Sequence, residues 1–246
     1  MDYNNITYPL DRIYSNATGV SYPVCGAQGG STPDPKNEYF YLENKDTEKR
    51  YFRNYTTGSP DYTKYNTEYS IDNGTTWTQY DFENQPLVPV ESGERIYLRG
   101  TKWGNDSSSG VNIGLISDSY SSTIFNTGGN IISLVDYTQM TTMDTLSDTY
   151  IFSNLFNSKS IVEFNANFGN ISNFSNYTCN AMFRFASKLE KIWLPKVTTW
   201  NSTAFYMWLA NAGGEATGTK TAYVPAGVNI PEDTSGVPSG WTRVEY

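Results

Sequence analysis

The sequence predicts a mainly β protein with short helices, in which an N-terminal anchoring segment is followed by an antiparallel β-sandwich and then by a short solenoid of repeats. Three observations carry that expectation. Residues 38–125 alternate side-chain character with a period of two, and residues 126–222 repeat one short pattern at an offset of about 27. Aromatic residues reach 15% while charged residues are only 17%. Tyr, Phe and Trp fit half-buried pleated surfaces, and the Asn, Ser, Thr and Gly that dominate the remainder suit turns and exposed faces.

Residues 1–37 are irregular. "RIYSNATGVSYPV" is followed by "CGAQGGSTPDPKN", whose Gly, Pro and Ser read as a linker. So short a segment cannot bury a core of its own, so it is expected to attach to a partner or to the next domain.

In residues 38–125, "EYFYLEN" sets Tyr39 and Tyr41 against Phe40 and Leu42, and "RIYLRG" sets Ile96 and Leu98 against Tyr97. "EYSIDNGTTWTQY" reads as a hairpin, with Tyr69 and Ile71 leading into Asp72-Asn73-Gly74 and with Trp77 and Tyr80 returning. "KWGNDSSSG" is then an exposed loop.

From about residue 126 the period changes. "DTYIFSNLF", "SNYTCNAMF" and "NSTAFYMWL" each open on a capping residue, Asp148, Ser175 or Asn201. Phe152, Cys179 and Phe205 follow four places later, and Phe156, Phe183 and Leu209 four places after those. Offsets of 27 and then 26 residues separate the copies. A cap followed by an apolar stripe at i and i+4 predicts a short helix, written three times. Strand-like runs come after the first two, "SIVEF" and "KLEKIWL", with Ile161 and Leu189 offset by 28. Units of this length cannot bury their apolar face alone and must stack, which predicts a parallel ladder. "GNIISLVDY", residues 129–137, is expected as its first strand, "TKTAYVPAGV" as its last, and residues 223–246 as a terminal cap.

Composition narrows the function. The chain has no histidine, so Ser-His-Asp triads, Cys-His pairs and HExxH zinc sites are excluded. A net charge of −8 opposes phosphate backbones and anionic lipid surfaces, so neither nucleic acid nor membrane is expected as a partner. No run is long and apolar enough for a membrane span, and "MDYNNITYPL" lacks the basic and apolar regions of a secretory signal, so synthesis in a cytoplasm is expected. Cys25 and Cys179 are expected as reduced thiols, with no metal and no cofactor. "NKDTEK" and "DNGTT" cluster oxygen ligands without EF-hand spacing.

"MFRFASKLEKIWL", residues 182–194, resembles the BspA-type leucine-rich repeat. Its "MFxxCxSLxxIxL" core recurs in surface proteins of gut Bacteroidetes and in structural proteins of their phages, such as crAss-like phages. Met182, Phe183, Ala186, Leu189, Ile192 and Leu194 fall on that pattern, with Ala186 in place of the usual Cys and Lys188 in place of the usual Ser. "GNIISLVDY" is similar to the "GNIMSL" strand of these proteins, and "YSIDNGTTWTQY…SGERIYLRG" resembles the "YSxDGxxWTxY…xGDKIYFRG" sandwich that precedes it. The N-terminal "ITYPLDRIYSNATGVSYPV" is loosely similar to "KIYLG…V…VYLG" segments that open many such phage proteins.

The resemblance implies a non-enzymatic virion protein, a head fibre, capsid decoration or tail fibre protein. Residues 1–37 would hold other virion proteins of the capsid or tail, and the chain would self-associate as a dimer or trimer on the virion surface, meeting host glycans or surface proteins. The competing expectation is a bacterial cell-surface adhesin or glycan-binding module, with Trp103, Trp200 and Trp241 as candidates to stack on sugar rings. A glycosidase would need a facing carboxylate pair, and Glu91, Glu94, Asp144, Asp148, Glu163 and Glu190 offer no pair singled out by spacing.

Overall fold

The computed structural model describes residues 38–105, 110–119 and 123–246, together with two short strands, β1 (Tyr14–Ser15) and β2 (Ser21–Tyr22), that pair antiparallel. The chain divides into two units, Met1–Asp34 and Pro35–Tyr246. Apart from β1 and β2, the expected attachment segment at 1–37 lies outside the described residues, as does Cys25.

The second unit is mainly β. Fourteen strands follow in chain order: β3 (Phe40–Asn44), β4 (Arg50–Thr57), β5 (Asn66–Ser70), β6 (Thr78–Gln79), β7 (Val88–Val90), β8 (Arg95–Lys102), β9 (Gly110–Ile116), β10 (Phe125–Asn130), β11 (Thr145–Leu146), β12 (Ile161–Asn167), β13 (Asn173–Phe174), β14 (Lys191–Trp193), β15 (Thr221–Val224) and β16 (Thr242–Glu245). A nine-stranded sheet runs β6-β5-β8-β3-β10-β12-β14-β15-β16. It is antiparallel from β6 to β10 and parallel from β10 to β16. Opposite it lies the antiparallel sheet β7-β4-β9. The alternation seen in "EYFYLEN" and "RIYLRG" turns Phe40, Leu42, Ile96 and Leu98 inward, where they join Phe52, Val88, Val90, Ile113 and Leu115 in one core. Pairing of β5 with β6 makes "EYSIDNGTTWTQY" the expected hairpin.

The segments expected as short helices are not helical. Residues 150–158, 177–185 and 203–211 are runs of turns in which alternate amides serve two purposes. Ser153, Leu155, Asn157 and Lys159 N–H groups donate three residues back, to Tyr150, Phe152, Asn154 and Phe156. Phe152, Asn154, Phe156 and Ser158 donate instead to the carbonyls of Thr178, Asn180, Met182 and Arg184 in the next segment. Tyr177, Cys179, Ala181, Phe183 and Phe185 in turn donate to Thr203, Ala204, Tyr206, Trp208 and Ala210. An α-helix keeps its amides to itself and could not make such a ladder. The chain frees half of them by placing every fourth residue in the left-handed region: Tyr150, Asn154 and Ser158, then Tyr177, Ala181 and Phe185, then Met207 and Asn211. The stripe residues Phe152, Phe156, Cys179, Phe183, Phe205 and Leu209 are all buried, as a helix would also have buried them. Of the three expected caps, Asn201 Oδ1 accepts from the amides of Thr203 and Ala204, whereas Ser175 donates its hydroxyl to Ser147 O.

Two strand expectations shift. The first ladder strand is β10, which ends at Asn130, and Ser133–Asp136 form a short helix, α1. Asn130 ends the strand by accepting the Ile132 amide and donating to Met140 O, while the Ser133 hydroxyl ties Phe40 N–H to Leu98 O. The last strand is β16, inside the expected cap, one step beyond β15. Ile113 N–H on β9 donates to Leu155 O, so the turn segments continue the layer of the second sheet just as β12 to β16 continue the first. Residues 38–125 and the segments that follow are therefore joined in one mainly β unit. Among the described residues no helix is long and apolar enough to cross a membrane.

Candidate binding face

Because successive side chains of a strand point to opposite faces, the nine-stranded sheet carries an outward face built in rows. One row is charged and polar: Arg95, Glu43, Asn126, Glu163, Lys191, Thr221 and Thr242 lie on successive strands in register. The next begins with Tyr97, Tyr41, Gly128 and Asn165 and continues on β14 to β16 as Trp193, Tyr223 and Val244. Gly128 is required here: a Cβ would strike the Tyr41 hydroxyl, which lies across it.

At the sandwich end the aromatic faces are occupied. Arg95 stacks at 4.0 Å over Tyr41 while bonding Glu38 and Glu43, each at 3.3 Å. Arg99 lies 4.1 Å over Trp77 and 4.6 Å over Tyr137 and pairs with Glu68 at 2.7 Å. Burial pushes the Tyr41 hydroxyl and the Glu38 carboxyl up, with Arg95 opposing both. At the other end Trp193 and Tyr223 stack at 4.2 Å with 12° between their planes, and both are half-buried. Lys191, Thr221 and Asn165 surround them with donors and acceptors. This part of the face has the chemistry to hold a hydroxylated ligand against an aromatic edge.

The indoles proposed from sequence are elsewhere. Trp103, Trp200 and Trp241 are only 4%, 9% and 8% exposed. Trp103 packs edge-on against Tyr65 at 5.2 Å, Trp200 stacks on Phe205 at 4.2 Å and donates its N–H to Ser235 O, and Trp241, immediately before β16, lies with the Lys220 ammonium 5.9 Å over its ring. They are core residues and present no free face, and Trp103 and Asn105 draw the start of the expected exposed loop inward. Trp193 was legible all the same, since it alternates with Ile192 and Leu194 in "KLEKIWL".

Of the carboxylates named from sequence, Glu163 and Glu190 are each engaged by neighbouring groups. Glu163 is raised by burial, opposed by Lys191 and reinforced by Glu43, one strand beyond β10. Each carboxylate is nonetheless held by a cation, Glu43 by Lys45 at 3.0 Å and Glu163 by Lys191 at 3.8 Å. Glu190 is occupied by the amides of Thr217 and Gly218. Among the described residues no group of three His, Cys, Asp or Glu could hold a metal. In "DNGTT" the Asp72 carboxylate accepts from Ser70, Thr75 and Thr76, bonds that hold it down at about 2. Asp46 of "NKDTEK" is bound to Arg50. Cys179 is a free, buried thiol whose pKa burial raises, a small hydrophobe in the core and not a nucleophile.

A pocket of about 230 Å³ opens between β13 and residues 197–201, lined by Ser172, Asn173, Thr198 and Thr199 over Phe174 and Phe205. It lies where β13 pairs with β11 on one edge and meets the next segment through Asn201 Nδ2, which donates to Phe174 O, and through the Phe174 ring, 5.0 Å from that of Phe205.

Comparison of the chain with protein-family models, with curated proteins and with solved structures finds no match.

Proposed function

We propose that this chain is a non-enzymatic structural protein of a phage virion, a head fibre, capsid decoration or tail fibre protein displayed on the particle surface. In this reading residues 38–125 are the sandwich, residues 126–222 a BspA-type leucine-rich-repeat solenoid, and residues 1–37 the attachment to other virion proteins. The observation that carries it is the stack of segments 150–158, 177–185 and 203–211, bonded amide to carbonyl through the stretch that resembles the BspA repeat. A stack of this kind offers an extended surface for contact with partners. The step from architecture to virion rests on the resemblance.

The competing reading, a bacterial adhesin that binds glycans, is favoured by the half-buried Trp193–Tyr223 stack beside Lys191 and Asn165. Immunogold labelling with antibodies to residues 38–246 separates the two. Label on purified phage particles of gut Bacteroidetes is the expected result. Label confined to the envelope of uninfected cells would overturn the virion reading in favour of the adhesin.

A further inference from the structure

Strand β16 is one edge of the nine-stranded sheet among the described residues. All four of its residues, Thr242, Arg243, Val244 and Glu245, are exposed, and no described strand lies beyond it in the sheet. Among the described residues its backbone is bonded on the side of β15. Thr242 N–H donates to Lys220 O, Tyr246 N–H donates to Val224 O, and Tyr246 O accepts from Ala226 N–H, so residues 242, 244 and 246 face β15. The amides and carbonyls of Arg243 and Glu245 therefore point to the open edge, ready to pair with another strand.

The sequence of that edge says which strand it fits. Residues with outward-pointing backbone groups form the hydrogen-bonded pairs of an antiparallel ladder, which leaves three two-fold registers for β16 against itself. Centring on Arg243 sets Arg243 against its own copy, and centring on Glu245 sets Glu245 against its copy; like charges directly opposite are destabilising. Centring on Val244 sets each Arg243, whose guanidinium donates within its own chain to the carbonyls of Ile230, Pro231 and Val237 and has no carboxylate beside it among the described ion pairs, against the other copy's Glu245, with two backbone hydrogen bonds per pair. Val244, 39% exposed, then meets its copy at the non-hydrogen-bonded position where side chains come closest. On the same face the row Trp193, Tyr223, Val244 runs on into Val244, Tyr223 and Trp193 of the second copy. An edge guarded by one sign of charge would refuse this contact, whereas the alternation at β16 accepts it.

We propose that β16 pairs antiparallel with β16 of a second copy of this chain about a two-fold axis at Val244, joining two nine-stranded sheets edge to edge. The inference rests on the expected self-association and not on the virion assignment, and it assigns a dimer in place of a trimer. Glu245 is exposed and makes no ion pair among the described residues, so Glu245→Arg is expected to leave the fold of one chain intact.

The test uses the full chain. A Val244→Cys, Cys25→Ser chain oxidised in dilute solution is expected to give a disulfide-linked dimer, because the Cα separation of a non-hydrogen-bonded pair, about 4.5 Å, falls within disulfide reach. Thr242→Cys in the same background, equally exposed but two positions off the axis, is expected to stay monomeric under the same oxidation. By light scattering over a concentration series, wild type is expected as a dimer, weakened at least tenfold by Glu245→Arg and by Val244→Asp. Monomeric wild type at every concentration would overturn the proposal. So would an oligomer that both substitutions leave unchanged while Val244→Cys fails to cross-link. In that second case self-association lies elsewhere in the chain, and the virion reading stands.

Discussion

Lys159 lies with its ammonium 3.0 Å from the centroid of the Tyr55 ring, and burial, reinforced by Arg53, pushes its pKa down to about 7. Burial opposes the charge while the ring favours it. In the unfolded chain the same amine titrates at about 10.4. Between those values the unfolded state binds more protons, so the charging penalty on the folded state is complete below pH 7 and is relieved as pH rises toward 10. Replacing Lys159 with Met keeps the stem and removes the charge. Lys159→Met is expected to stabilise the protein by about 2 kcal/mol at pH 7, with the gain shrinking toward pH 10. Urea unfolding of both proteins at pH 7, 8.5 and 10 measures this; a gain that does not change with pH would show that packing and not charge is responsible. Residue-level chemistry was partly legible. The absence of His and the ordinary setting of Cys179 followed from the sequence, whereas for Trp103, Trp200 and Trp241 the sequence left both core packing and sugar stacking open, because an indole's exposure depends on partners distant in the chain.

The turn segments show why the element scale was harder to read. An apolar stripe at i and i+4 is what an α-helix produces, and Phe152, Phe156, Cys179 and Phe183 are buried as that stripe requires. A run of turns with every fourth residue left-handed has nearly the same period. Tyr150, Ala181, Phe185 and Met207 gave no warning, because that conformation usually falls to Gly or Asn. Each such residue costs about 1–2 kcal/mol, offset by the hydrogen bonds between segments. Ala181, at φ +50°, offers the diagnostic substitution. In a helix Ala181→Gly would cost about 1 kcal/mol. Here it is expected to be neutral or to stabilise by up to about 1 kcal/mol, because Gly takes the left-handed region freely. Chemical denaturation decides between them, and a clear loss of stability would speak for a helix. The strand runs were more readable: Phe164 pairs with Ile192 at the offset of 28 that separates Ile161 from Leu189.

At the scale of the molecule, the sequence suggested a sandwich and then a repeat region, with a boundary near residue 125. The change of period there is real, but β10 joins both parts: it pairs antiparallel with β3 and parallel with β12. Phe156, from the first turn segment, packs on Phe40 of the sandwich and on Phe183 of the second. Period is a local property, whereas the shared sheet depends on contacts between distant residues, so the join was not legible. Residues 35–246 are accordingly expected to unfold in one transition, with tryptophan fluorescence and far-UV circular dichroism coincident. Residues 38–125 alone, deprived of β10 and Phe156, are expected to show no cooperative melt, and an independent transition for that piece would separate the two parts.

Everything proposed for this chain, from display scaffold to edge pairing, depends on amide-to-carbonyl bonds between successive segments. Amide-resolved hydrogen exchange on the full chain tests them most directly. The amides of Phe152, Asn154, Phe156, Cys179, Ala181 and Phe183 should be as protected as those of β12. Exchange at the rate of open loops would contradict the stack and the scaffold built on it.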